Sequence, residues 1–448
     1  MIERLSRFFG VSAAGSSVRT EILAGVSTYM ALSYIVLVNP AVLAGAGMDA
    51  GAVMMATCLA SALATAWMAF HANYPIALAP GMGHNFFFAI TVCGPIAAGG
   101  LGYSWQVALA AVFVSGSIFL VGSFWGLRAR IITLVPAHLK TSIAVGIGLL
   151  IAVVGLRWGG LLVARPGIYI GLGELGESPV LLTLFGLTVM SVLTAARVPA
   201  ALVVGILVTT LLAALTGLAK LHGVVAWPPS IAPTLFALDF RGLLREADFV
   251  SVVFVFLFVD IFDTVGTLIG VGQRAGLIVN GELPRARQAL TADAVGTVAG
   301  SVLGTSTVTS YVESAAGVAA GGKTGFAALV TAVLLAGSIF FYPLVEVVGV
   351  GFDVGGGVVL YPILAPALIL IGVFMMHGIG DIAWNDPRQA IPAFLTIVMM
   401  PLTTNITEGI SFGFISTSVL YLASGKGKSL LWGVHVIAAC FLIRYLLL

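Results

Sequence analysis

The sequence predicts an all-α polytopic membrane protein made of two inverted repeats, each with seven membrane segments. Three observations predict it: the composition, the spacing of apolar segments, and a broken segment recurring at the same ordinal position. Of the 448 residues, 60% are hydrophobic and only 8% charged, whereas an average soluble domain is about a quarter charged. No polar stretch is long enough to be a soluble domain. Net charge is +2 without a basic block, which argues against nucleic acid as a partner. Cys58, Cys93 and Cys440 lie far apart in apolar runs and read as small buried hydrophobes. The opening MIERLSRFFGVSAAGSSVRTE is short and amphipathic, so no signal peptide is expected.

Apolar segments long enough to cross a bilayer fall near 22–38, 52–70, 104–125, 139–156, 180–195, 201–218, 249–271, 288–304, 325–342, 358–376, 389–404 and 408–423. Two more are apolar but broken: 76–93, by Pro80, Gly81 and Gly83, and 305–320, rich in Thr, Ser and Gly. Together these make fourteen crossings, and a further apolar piece, 430–448, either lies flat or crosses. With the N-terminus inside, fourteen Lys and Arg are cytoplasmic, Arg128 and Arg130 among them. Five are external (Arg157, Arg165, Lys220, Arg241, Arg245), and Arg444 remains in the tail. The positive-inside rule prefers that orientation.

The order of features repeats. Each set of seven has its broken element third, followed by a long helix, a short apolar piece (IITLVP, then YPLVEVV) and three more helices. Seven is odd, so the second set enters from the opposite side. Matched broken helices in inverted repeats point to a secondary transporter with its site at the midplane. Breaks there free backbone groups, which is tolerable only beside a cavity or ligand.

Two phosphate-binding patterns are decoys. GVAAGGKT, from Gly317 to Thr324, matches the phosphate loop literally but lacks the preceding strand and a soluble sheet. GLGELG, from Gly171 to Gly176, matches GxGxxG in an external loop expected to lack strand and helix. The six histidines show no metal-ligand spacing, and no cofactor or metal is expected.

Three stretches carry chemistry. In FVDIFDTVGTLIG, 258–270, Asp260, Asp263, Thr264 and Thr267 fall at i, i+3, i+4 and i+7, a single helical stripe. Intramembrane carboxylates are costly and functional by default, although the stripe could also serve helix packing. No Lys or Arg lies in local reach, so at least one Asp is available for a proton or a substrate N–H. GTSTVTSYVESAAG, 304–317, combines Ser and Thr hydroxyls with Tyr311 and Glu313. In 73–92, Pro80 and the glycines end an extended part, after which His84, Asn85, Phe86, Phe87 and Phe88 open a half-helix. Aromatic rings beside amide and carboxylate groups suit a flat, hydrogen-bonding heteroaromatic ring.

At these stretches the chain resembles the AzgA-like hypoxanthine/guanine/adenine permease branch of the xanthine/uracil permease (nucleobase–ascorbate transporter) superfamily. The matching phrases are VNPAVLAGAGM (38–48), ALAPGMG-N-FFA (77–89), YSWQVALAAVF (103–113), FVDIFDTVGTLIGV (258–271), LGTSTVTSYVESAAGVAAGGKTG (303–325) and AIPAFLTIVMMPLT (390–403). The resemblance implies a core domain of segments one to four and eight to eleven, 1–126 and 249–345, and a gate domain, 127–248 and 346–425. A tail, 426–448, follows. It also implies short antiparallel strands in the broken third and tenth segments. By the same resemblance Asp260 and Glu313 hold the base, Asn85 and Phe86 are third-segment contacts, and Tyr311 is an aromatic neighbour. His84, Asp263, Thr264 and Ser314 are expected behind these contacts or in proton coupling. The branch usually reads GMGLN-A-[YF]-F, whereas this chain has GMGHNFFF, which bears on base preference. The His84 imidazole either reaches the cavity or turns onto a backbone carbonyl, and both readings stand at this stage.

The implied activity is import of a purine base by proton symport, with elevator-like or rocking alternating access, in a cell (inner) membrane with the N-terminus cytoplasmic. The expected partners are the base, protons and the lipid bilayer, with a homodimer as a candidate assembly. The alternatives are an anion transporter or sodium coupling on the same fold. An anion site would want a basic residue or an open helix N-terminus, and the midplane charges are acidic. A membrane-embedded enzyme would need a nucleophile–base pair or metal ligands, and neither is visible.

Overall fold

The computed structural model describes residues 2–125, 135–165, 168–278, 283–355 and 358–447. Arg128, Arg130, most of the IITLVP piece and the 126/127 domain boundary lie outside them. Among the described residues, eight helical spans are long and apolar enough to cross a membrane. The expected seventh and twelfth segments are the shorter apolar helices Ala201–Leu215 and Ala365–Met375. The ninth and thirteenth are Ala286–Leu303 and Pro387–Thr403.

The helices pack as two groups. In the first, Val18–Leu32, Ala50–Trp67, Trp105–Trp125, Phe249–Arg274, Ala286–Leu303 and Gly325–Gly337 lie against one another. In the second, Ala137–Trp158 packs on Ala365–Met375 and Pro387–Thr403, with Ser178–Ala195, Ala201–Leu215 and Ile406–Ala423 around them. Association in a bilayer relies on close packing of small residues, because lipid tails are as apolar as leucine. Gly148 and Gly372 make such an approach: a Cβ on Gly372 would stand 2.5 Å from the Gly148 carbonyl oxygen. Outward residues such as Val192, Leu211, Leu215 and Val333 are more than half exposed, as a lipid-facing belt requires.

The two broken segments meet. Leu78–Pro80 pairs antiparallel with Val308–Ser310, with Ala79 opposite Thr309. The pairing extends on both sides, the Gly81 amide donating to the Thr307 carbonyl at 3.0 Å and the Tyr311 amide to the Ala77 carbonyl at 2.9 Å. Pro80 donates no amide and suits a two-stranded ladder, which has only edges. Past the strands the chain turns into Met82–Phe86, continued by the wider turns of Phe87–Val92, and into Ser314–Ala319. The strand pair therefore replaces the helical hydrogen bonds that each broken segment gives up.

Elsewhere the stretch after the fifth expected segment contains a hairpin, Leu162–Arg165 with Ile168–Leu172, so GLGELG begins at a strand end rather than in a loop without strand or helix. The hairpin is too short, between helical segments, to mark itself by alternation. YPLVEVV forms the helix Tyr342–Val348. The tail is upright: Trp432–Leu447 runs antiparallel to Ile406–Ala423, with His435 beside Ser418 and Arg444 beside Glu408.

Candidate functional site

The Phe249–Arg274 helix packs against both Val308–Ser310 and Ser314–Ala319. This brings Asp260, Asp263 and Thr264 to the strand crossing together with Tyr311, Glu313 and Ser314. The four stripe residues are not equivalent. Asp260 and Thr264 are fully buried and Thr267 is 9% exposed, but Asp263 is exposed. At about 100° per residue, Asp263 stands about 60° round the helix from Asp260, at the edge of the stripe. Below it on the same side, Gly266 and Gly270 face open space.

Asp263 shares its surroundings with the Thr309 hydroxyl and the Glu313 carboxylate. Glu313 is half-buried, and its Oε1 accepts a 2.8 Å hydrogen bond from the Tyr34 hydroxyl. Asp263 and Glu313 are thus two at least partly accessible carboxylates near enough to feel each other's charge. Asp260, which the resemblance gives to the base, is instead enclosed. Its Oδ2 accepts from the Thr297 hydroxyl at 3.5 Å, its Oδ1 has no partner, and Asp293 stands within hydrogen-bonding reach.

Asp293 went unnoticed in the sequence. It sits in the ninth segment and is fully buried. Its Oδ1 accepts from the Thr264 hydroxyl and from the Ser310 amide at 3.0 Å, while Oδ2 is without a partner. The signal was the same as for Asp260, a carboxylate in an apolar segment. Tyr34 was also missed, for a different reason: a lone Tyr in the first segment, 279 residues from Glu313, carries no local mark.

The remaining expected residues take supporting positions. Asn85 is fully buried and its Oδ1 accepts from the Ser306 hydroxyl, joining the two broken segments behind the strands. Phe86 is fully buried, with its ring 6.3 Å from Trp158 of the second helix group. Phe87 and Phe88 are core as well, Phe87 lying 4.7 Å from Phe256. The Tyr311 hydroxyl donates to the Pro80 carbonyl at 2.5 Å, and the Ala77 amide donates to Ser314 Oγ at 3.0 Å, so both clamp the strand pair.

His84 is 1% exposed and neither ring nitrogen has a partner. It lies under Gly81, where a Cβ would meet its Nδ1 at 2.6 Å and Thr309 Cγ2 at 2.7 Å. Only glycine fits there. The imidazole therefore neither opens to the surface nor reaches a backbone carbonyl.

The phosphate-loop decoy has an anion of its own. The amides of Lys323, Thr324 and Ala327 donate to the Glu21 carboxylate at 3.0, 3.3 and 3.3 Å, and Glu21 is fully buried. Free amides at the start of the Gly325–Gly337 helix favour a negative group, and the first segment supplies it from within the chain.

A family model described as a permease family, that of the xanthine/uracil permeases, matches residues 19–439. A putative permease of Methanocaldococcus jannaschii is 43% identical over 99% of this chain and 98% of its own length. The guanine/hypoxanthine permease PbuO of Bacillus subtilis is 41% identical over 97% of this chain and 98% of its own. The adenine permease AdeP of Escherichia coli is 38% identical over 98% and 95%. The transmembrane domain of a cyanobacterial bicarbonate transporter, BicA, superposes with a TM-score of 0.63 at 14% identity, covering 87% of this chain and 97% of that one. SLC26A9 gives 0.63 at 12% identity over 91% and 66%. The fold is that of these inverted-repeat transporters, and the apolar spans make the protein a multi-pass membrane protein. By the family model and by its relatives across nearly the whole length, the chain is a member of the xanthine/uracil permease family, a family of permeases and not of enzymes.

Proposed function

We propose that this permease imports purine nucleobases of the hypoxanthine, guanine and adenine class by proton symport. The observation that carries this reading is that Asp263 and Glu313, both at least partly accessible, stand beside the strand pair within reach of each other's charge, with the purine permeases among the relatives as support. A purine edge offers ring N–H and amino groups, and a carboxylate accepts from two adjacent donors with charge assistance. The Tyr34 hydroxyl orients Glu313, and Thr264 and Thr309, 2.6 Å apart through their hydroxyls, stiffen the wall behind Asp263.

We assign proton coupling to a layer one deeper. Asp260 and Asp293 are buried side by side, where two negative charges would repel each other and one bound proton relieves that. Thr264 donates to Asp293 from the helix that carries Asp263, so proton and base report to each other through one side chain. The first helix group then acts as the core domain that carries the base, 1–126 and 249–345, and the second as the gate, 127–248 and 346–425. Alternating access is motion of one against the other, in fourteen crossings with the N-terminus cytoplasmic in a cell (inner) membrane. The anion reading suits a fold shared with a bicarbonate transporter, but fold alone does not choose the substrate and the carboxylates here disfavour anions.

The test is uptake of radiolabelled hypoxanthine, guanine, adenine, xanthine and uracil into proteoliposomes. The expected result is accumulation of a purine that rises with an inward proton gradient and collapses with a protonophore. Dependence on sodium with indifference to the protonophore would overturn the coupling, and uptake of bicarbonate alone would overturn the substrate class.

A further inference from the structure

The helix after the fourteenth expected segment connects the two helix groups. It is bound to the second group along its length: Ser418 Oγ pairs with His435 Nδ1 at 2.7 Å, Phe441 stands 6.3 Å from Phe414, and Arg444 Nη1 donates to Glu408 Oε1 at 3.0 Å. The Tyr445 hydroxyl also donates to Glu408. Among the described residues, two side-chain contacts towards the first group stand out, both near the helix's far end. The Phe441 ring lies 6.3 Å from Phe254, and Arg444 Nε lies 3.5 Å from Asp248 Oδ1. Asp248 is the residue immediately before the Phe249–Arg274 helix, which carries Asp260 and Asp263.

Arg444 is thus one cation shared by a carboxylate from each group, and it is the only Lys or Arg in 430–448. The three side chains are between 13% and 20% exposed, so water screens them only in part. The two contacts differ in how easily they part, since only the one to Glu408 is a hydrogen bond. Glu408 is held by Arg444 and Tyr445 together, with the rest of the helix packed alongside. Asp248 meets Arg444 through one longer contact, and the positive end of its own helix stabilises it without a partner.

We propose that the Trp432–Leu447 helix is a strap that travels with the gate and latches the substrate-carrying helix through Arg444 and Asp248. The contact breaks and re-forms once per transport cycle. In the expected orientation positions 248 and 408 both lie outside, so the latch acts at the outer end. The proposal rests on the alternating-access reading above.

The test is cross-linking in the full chain reconstituted in proteoliposomes, with Cys58, Cys93 and Cys440 replaced by alanine. One protein carries Asp248→Cys with Arg444→Cys, and the other Glu408→Cys with Arg444→Cys. A short reducible bis-methanethiosulfonate should abolish purine uptake in the first and restore it on reduction, while leaving the second at its rate before cross-linking. Full uptake by the cross-linked 248–444 protein would overturn the latch. Absence of purine uptake before cross-linking in the cysteine-free parent would instead count against the transport reading. If the cysteine pairs fail to fold, Asp248→Asn, Arg444→Gln and their combination serve. Each should change the maximal rate in the same direction by roughly two- to fivefold, the range of a partly exposed pair. The double variant should equal Arg444→Gln alone, because among the described residues Asp248 has no further partner to lose once Arg444 is gone. Additive changes would overturn the pairing.

Discussion

Replacing Asp263 by asparagine separates base binding from the rest of the machinery. The side chain keeps its shape, and the exposed position leaves no buried charge orphaned. What changes, on the proposed reading, is the loss of a charged acceptor for the base. A hydrogen bond to a charged group contributes about 1.5–3 kcal/mol, which is roughly ten- to a hundredfold in affinity. Asp260→Asn is the informative partner, since Asp260 lies in the buried pair with Asp293. It should leave affinity within about threefold, less than 1 kcal/mol, while removing the response of uptake to a proton gradient. Equilibrium binding of radiolabelled hypoxanthine to purified protein reads the first effect. Proteoliposome uptake with and without a gradient reads the second, and counterflow exchange shows that Asp260→Asn still turns over. Wild-type affinity in Asp263→Asn, or an equal loss of binding in Asp260→Asn, would refute the division between an open binding carboxylate and a closed coupling one.

Three further outcomes follow from the same geometry. Tyr34→Phe removes the 2.8 Å donor to Glu313 and should weaken binding by up to about tenfold, a neutral hydrogen bond being worth about 0.5–1.5 kcal/mol; unchanged affinity would free Glu313 from Tyr34. His84→Leu replaces a buried ring whose two nitrogens lack partners, so the thermal midpoint should hold or rise and the ranking of purine bases should stay fixed. A changed ranking among inhibitors would return His84 to the cavity. Glu21→Gln keeps the size but halves the acceptors facing three amides; a loss of about 1.5–3 kcal/mol is expected, read as a lower melting temperature in detergent with the affinity for base retained.

The sequence by itself determined the solvent, the number of apolar segments to look for, and the places where helices break. Composition decides the first. The last follows because Pro80, the neighbouring glycines and the hydroxyl-rich 305–310 run cannot continue a helix, and backbone groups freed at membrane depth need partners. Those partners proved to be each other, strand to strand. The residue types at the site were legible too, since Asp260, Asp263 and Glu313 are expensive in an apolar segment.

Their different surroundings were not legible. Asp260 and Asp263 lie one turn apart and look alike in sequence. Which of them is accessible depends on how the helix is rotated against Val308–Ser310 and Ala286–Leu303, and packing sets that rotation. Asp293 and Tyr34 become site residues only when segments far apart in the chain are brought together. Likewise, the GGKT stretch reads in sequence only as a decoy, and only the fold shows that its amides hold Glu21 from 302 residues away. Periodicity is a local property that records which residues need partners; identifying those partners takes the contacts of the folded chain.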